Sequence, residues 1–199
     1  MPNWCNNTLS ISGNKKDIFN LFRDAGFKGR NTKQLSDFLE KKVINLTSWF
    51  PTPKTYLKWD TTNSKRPKKT DESDQQYELY CKGYDNAKKY QKRKYGVVGW
   101  YDYNYANLGC KWDAELEYIH TVEANNSITI IFHFSTPWRS PDEWMFKMIK
   151  KYDNIYFELE GIEPGVGFIM NIEGDCGEII ENSTSDLSDY EEFTNDDLV

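Results

Sequence analysis

Apolar residues recur along this chain with two different periods, and the switches between them mark out the elements. In Asn7–Ser12, Leu9 and Ile11 alternate with polar neighbours, which predicts a strand with one buried face. Gly13-Asn14 turns the chain, and Asn14 is placed to cap a helix with Asp17 in its first turn. Ile18, Leu21, Phe22 and Ala25 follow at helical spacing until Gly26 or Gly29. A second helix is predicted over Thr32–Lys41, with Leu35, Phe38 and Leu39 on its apolar face. Val43–Phe50 then runs apolar into Pro51-Thr52-Pro53, which ends any regular element.

The second half reads more sharply. Over Ala114–Val122, Leu116, Tyr118, His120 and Val122 alternate against Glu115 and Glu117, so the four are expected on one strand face. Ala124-Asn125-Asn126-Ser127 signals a hairpin, and Ile128, Ile130, Phe132 and Phe134 share one face of the next strand. Those four are expected to face two helices. Ser140-Pro141-Asp142-Glu143 reads as a capping box with proline at the first helical position. Trp144, Met145, Met148, Ile149 and Tyr152 mark the buried side of that helix. Ile155, Phe157 and Leu159 start another strand, Glu163-Pro164-Gly165 turns it, and Phe168, Met170 and Ile172 return antiparallel. The order predicts an α+β fold: a ferredoxin-like βαββαβ sandwich, its antiparallel sheet extended by one edge strand.

Charge adds a division that hydropathy does not show. Residues 54–95 carry twelve Lys and Arg against six Asp and Glu, with tyrosines interleaved at irregular spacing. This stretch is expected to be an insertion that leaves the sandwich, with Lys65, Arg66, Lys68, Lys69, Lys88, Lys89, Lys92, Arg93 and Lys94 as a basic surface. Residues 173–199 carry ten acids and no Lys or Arg. From Glu181 onward the chain has too few apolar residues to offset its ordering entropy, so 181–199 is expected to be a disordered acidic tail. Asp186, Asp189, Glu191 and Glu192, with Tyr190, Phe193 and Leu198 as anchors, suit docking on a basic surface. The core is then residues 1–53 and 96–180.

Aromatic residues make up 16% of the chain, which excludes disorder throughout. No apolar run approaches the roughly 20 residues of a membrane span, and the N-terminus lacks the basic and apolar regions of a secretory signal. Cysteines at 5, 81, 110 and 176 are too scattered for a thiolate cluster, so a reduced cytoplasmic setting is expected, with no metal and no cofactor.

Four strings stand out: Pro2-Asn3-Trp4-Cys5-Asn6-Asn7, Gly109-Cys110-Lys111-Trp112-Asp113-Ala114, Thr136-Pro137-Trp138-Arg139-Ser140-Pro141 and Glu163-Pro164-Gly165-Val166-Gly167-Phe168. In this order they resemble the Api92-like family, also described as proteins with a YubB-type ferredoxin-like domain, over roughly 1–53 and 97–180. The resemblance implies the fold and a phage, plasmid or integrated-element origin, hence a bacterial host cytoplasm. It assigns no chemistry. Family members often carry a threonine-like residue where Cys110 stands here. Related sequences also suggest a helix near residue 100, with Trp100, Tyr103 and Asn107 on one face.

Catalytic signatures are missing from the sequence: no G-x-S-x-G, no phosphate-binding glycine loop, and no cysteine with a recognisable base. His120 and His133 sit on neighbouring predicted strands without further ligands and read as structural. Glu115/Glu117 and Glu158/Glu160 follow strand alternation onto a solvated face. What stands above background is an aromatic and polar group: Trp100, Tyr101, Tyr103, Lys111, Trp112, Asp113 and Trp138. Either Trp4, Trp112 and Trp138 brace helix against sheet, with Asp113 or Glu163 accepting from their tips, or the rings form a stacking surface for a base, nucleotide or peptide. The function expected is non-enzymatic: a mobile-element inhibitor that occludes a host protein, in counter-defence or host takeover. The alternative is a nucleic-acid or nucleotide binder using the aromatic group and the basic insertion.

Overall fold

The structure is a computed structural model, and it describes residues 3–41 and 45–188. Strand β1 (Trp4–Asn14) alternates as expected and leads straight into α1 (Lys15–Asp24). Asn14 caps α1, its Oδ1 accepting from the Asp17 N–H, and Ile18, Leu21 and Phe22 are buried. Helix α2 (Thr32–Lys41) follows within the predicted limits. Val43 and Ile44, the start of the predicted apolar run, lie outside the described residues. Leu46–Ser48 form a single 3-10 turn. After α3 (Lys54–Lys58), α4 (Asp74–Tyr95) and α5 (Trp100–Leu108), the hairpin β2 (Glu115–Ala124) and β3 (Ser127–Pro137) enters the sheet. Then come α6 (Asp142–Lys151), β4 (Ile155–Glu163), β5 (Phe168–Asp175) and β6 (Glu178–Asp186).

All pairings are antiparallel, in the order β2-β3-β1-β4-β5-β6. The first four strands with α1 and α6 make the expected βαββαβ sandwich. Ile128, Ile130, Phe132 and Phe134 are all buried, packed with Leu9, Ile11, Phe157 and Leu159 against the helical layer. Trp49 and Trp144 lie edge to face at 5.7 Å, and their indole N–H groups donate to Leu21 O and Leu46 O. Buried indoles need such partners, and backbone carbonyls supply them here.

Four expectations change. The sheet gains two strands beyond β4, because Glu181–Asp186 pair in register with Phe168–Glu173 as the end of β6. The tail therefore does not begin at Glu181, and Asp186 is a strand residue whose carboxylate accepts from Ser188. Asp189, Glu191 and Glu192 lie outside the described residues. On β2, an irregularity between Leu116 and Tyr118 resets the alternation. Leu116 and Ile119 pack on the core, whereas Tyr118 and Val122 are exposed and Tyr118 stacks on His133 at 4.0 Å. A bulge adds one residue and turns the following side chains over. Before α6, Pro141 sits at the N-cap and Ser140 caps nothing; its hydroxyl faces Cys5 Sγ instead.

The fourth change is in the insertion, where the irregular Lys/Tyr stretch is a 22-residue helix. Ser73 and Gln76 close a reciprocal capping box at its start, and Gly96 ends it in the left-handed conformation. The side chain of Gln91 is buried, accepting from Thr61 Oγ1 and Gly99 N and donating to Thr55 O and Trp59 O. It ties α4 to the chain on either side. Residues 54–95 thus stay out of the sheet, as expected.

At the base of α4, Arg66 forms a two-pronged pair with Glu72, at 2.6 and 2.8 Å. That hydrogen bonding holds the Glu72 carboxyl down at about 2. Because the folded value is depressed, the contribution is present above the ordinary glutamate range and is lost as pH falls toward 2. Amide exchange at Lys69–Ser73 should accelerate through that acid window while β1 and β3 stay protected. Unchanged exchange there would mean the pair does not hold the loop.

Candidate functional site

The four strings of the sequence meet at one end of the sheet. Trp4 and Cys5 open β1 and lie opposite Pro137 and Thr136 at the end of β3. Asn7 is buried between strands; its amide donates to Thr136 Oγ1 at 2.8 Å, Cys5 O at 2.9 Å and Phe134 O at 3.3 Å. Thr136 in turn donates to Arg139 O, which fixes the turn that carries Trp138 and Arg139. The Trp138 N–H donates to Asn3 O at 2.8 Å. Ser140 Oγ lies 3.2 Å from Cys5 Sγ. Beneath it runs Gly161, opposite Asn7 in the β1–β4 register, where a β-carbon would overlap the Ser140 hydroxyl.

Two carboxylates finish this buried group. Glu163 is fully buried and accepts from the N–H groups of Gly165 and Val166, so it holds its own turn and not an indole. Asp142, at the start of α6, pairs with Arg139 and accepts from Glu143 N. Its Oδ1 packs where a β-carbon on Gly109 would stand. Asn104 on α5 donates to Lys111 O, which anchors the second string.

Of the aromatic group, the structure gathers part. Lys111 Nζ lies 5.4 Å from the centre of the Tyr101 ring and 5.0 Å from that of Trp112, and Trp112 meets Trp4 edge to face at 6.3 Å. Trp100 touches Tyr101, and Tyr101 packs on Tyr105 at 4.9 Å. Trp138 is 41% exposed in a left-handed backbone conformation. Tyr103 leaves the group: it packs on Tyr56 at 4.8 Å and on Tyr95. Asp113 leaves it too, since its carboxylate accepts from Leu46 N at 2.6 Å and from Thr47, pinning the 3-10 turn. Trp112 and Lys111 therefore lie at the rim, while Asp113 is a structural acceptor.

Both thiols under this surface are buried. Burial pushes the Cys5 thiol up to about 11, against the opposing Ser140 hydrogen bond. Cys110 is raised further by burial and by Asp113 and Asp142. A thiolate is the reactive form, and burial disfavours it at both positions. Iodoacetamide should modify exposed Cys176 in the folded protein and reach Cys5 and Cys110 only on unfolding, as read by mass spectrometry. Labelling of Cys5 as fast as Cys176 would show that this end of the sheet opens.

The basic surface divides in two. Lys65 pairs with Asp85 at 2.8 Å, Arg66 with Glu72, and Lys68 with Asp74 at 2.6 Å, while the Lys69 N–H donates to Glu72. Farther along α4, Lys88, Lys89, Lys92 and Arg93 follow at i, i+1, i+4, i+5 and line one depression with Asp85 and Val98. Lys92 donates to Gly96 O and Lys94 to Tyr90 OH. Among the described residues none of these five cations makes an ion pair. A second depression beside α4 is lined by Lys54, Lys58, Trp59 and Tyr90, none of which the sequence had singled out.

Together, the sheet order and the two packed helices define a ferredoxin-like α+β protein. Residues 111–197 match the family model described as the ferredoxin-like domain in Api92-like protein. The crystal structure of a protein api92 from Yersinia pseudotuberculosis is similar, with 12% identity, a TM-score of 0.47, and 93% of this chain and 98% of that one covered. No curated protein matches. Among the described residues no helix is long and apolar enough to cross a membrane.

Proposed function

We propose that this chain is a non-enzymatic binding protein of a mobile element, acting in a bacterial cytoplasm by occluding a host protein, as a counter-defence or host-takeover inhibitor. The observation that supports it most is the cationic face of α4. The insertion neutralises its first cations internally, whereas among the described residues Lys88, Lys89, Lys92 and Arg93 make no ion pair, Asp85 being the one acid that lines their depression. The negative end of the helix dipole favours cations in the last turn by roughly 0.3–1 kcal/mol each. That accounts for Lys92 and Arg93, not for Lys88 and Lys89 a turn earlier. Like charges held side by side cost self-repulsion and suit an acidic partner surface, which they would steer and orient.

A nucleic-acid reading is favoured by one separate feature. Lys54 and Lys58 flank Trp59 and Tyr90 in the neighbouring depression, and cations beside rings suit phosphate contact with base stacking. Affinity capture from host lysate with the full chain, before and after nuclease treatment, separates the two. A host protein retained after nuclease supports occlusion of a protein. Capture that vanishes with the nucleic acid overturns it in favour of the second reading.

A further inference from the structure

Strand β6 lies at one edge of the sheet. It ends the six-stranded sheet, and among the described residues no strand pairs with its far side. Its register with β5 shifts by one residue between Ile179 and Glu181 and is regular over the six residues from Glu181 to Asp186. Nearly all of β6 is exposed, including Ile179 at 40% and Ile180 at 59%. Natural edge strands are blunted by proline, lysine, bulges or a covering element. Here the run Asn182-Ser183-Thr184-Ser185 has neither proline nor lysine, and its small side chains leave the backbone accessible. Each edge strand carries one irregularity, β2 at Leu116/Tyr118 and β6 between Ile179 and Glu181; the edges differ in charge, since Glu123 on β2 is paired with Lys15.

Charge decides what such an edge would accept. Glu178, Glu181 and Asp186 lie on β6, Glu173 and Asp175 on β5, and residues 173–188 contain no Lys or Arg. A second copy would bring acids against acids, an unfavourable cross-strand arrangement. We propose that β6 receives an extended, lysine- or arginine-bearing segment of a partner polypeptide as a seventh strand. The backbone ladder supplies affinity, and the flanking carboxylates select the cationic sequence. This proposal does not depend on α4.

The test uses the full chain and a capped eight-residue peptide of alternating lysine and valine. Saturable binding should slow amide exchange at alternate positions of Glu181–Asp186 and leave the α4 amides unaffected. The variant E181K/S183K, both positions exposed, should bind about tenfold more weakly, since one carboxylate contact is reversed and a second cation is added against a cationic segment. A D189N/E191Q/E192Q variant should bind as the unaltered chain does. Protection appearing elsewhere, or binding lost with those three neutralised acids, overturns the proposal. So does a β6 edge already protected without peptide: concentration-dependent protection would identify a second copy, and concentration-independent protection the chain's own end.

Discussion

Replacing Gly161 with alanine should destabilise the fold by about 3 kcal/mol and lower Tm by about 10 °C. The position is ordinary in backbone terms; what restricts it is space. A β-carbon there would overlap Ser140 Oγ and stand 2.9 Å from both Ser140 Cβ and Asn7 Oδ1. Neither neighbour can retreat cheaply. Ser140 is fully buried against Cys5, and Asn7 is held by three hydrogen bonds. Displacing either strands a buried polar group, which costs about 1–3 kcal/mol by itself. Ser140→Gly in the same background removes both serine contacts and should recover part of the loss. Thermal unfolding of the single and double variants reads this out. A G161A variant with unchanged Tm would mean that β4 does not press on the α6 entry as described.

The second large effect concerns binding. Reversing Lys88, Lys89, Lys92 and Arg93 to glutamate should lower Tm by only about 5 °C, because exposed charges contribute little and the main loss is that of Lys92 and Arg93 at the negative end of the helix. Affinity for the captured partner should fall about a hundredfold, as four favourable contacts become repulsive. Alanine at the same positions should show a smaller loss in the same direction. Circular dichroism would confirm that α4 persists. An affinity unchanged in the reversed protein would remove α4 from the interface.

The sandwich was legible because burial on one face imposes a period. Ile128 to Phe134 and Ile18 to Ala25 carry that period without interruption. Strand β6 was not, since an edge exposed on both faces needs no apolar alternation, and Glu178–Asp186 shows none. In α4 only Tyr84, Ala87 and Gln91 are buried, so its hydrophobic stripe is almost absent; the Ser73–Gln76 capping box was the readable signal. The irregularity in β2 left no mark in the sequence and reversed Tyr118 and His120.

The site was legible as four strings but not as a cluster. Asn7 meets Thr136 and Gly161 only through strand pairings more than a hundred residues apart. From the sequence, Asp113 is expected to accept from the indole of Trp4, Trp112 or Trp138; it accepts instead from Leu46 N and Thr47, a contact made only when the chain folds the 3-10 turn back onto it. Charge counting found the basic insertion but not which cations its own acids neutralise. That depended on the helix bringing Asp85 to Lys65 and the loop bringing Glu72 to Arg66.

The proposed association of α4 with an acidic partner is tested most directly by its salt dependence. Affinity of the full chain for its captured host protein, measured by titration calorimetry between about 0.05 and 0.2 M salt, should fall by about tenfold or more as the Debye length shortens. The K88A/K89A/K92A/R93A variant should bind more weakly throughout, with a dependence cut to about twofold. Equal affinity and an equal salt dependence in the two proteins would contradict the central claim.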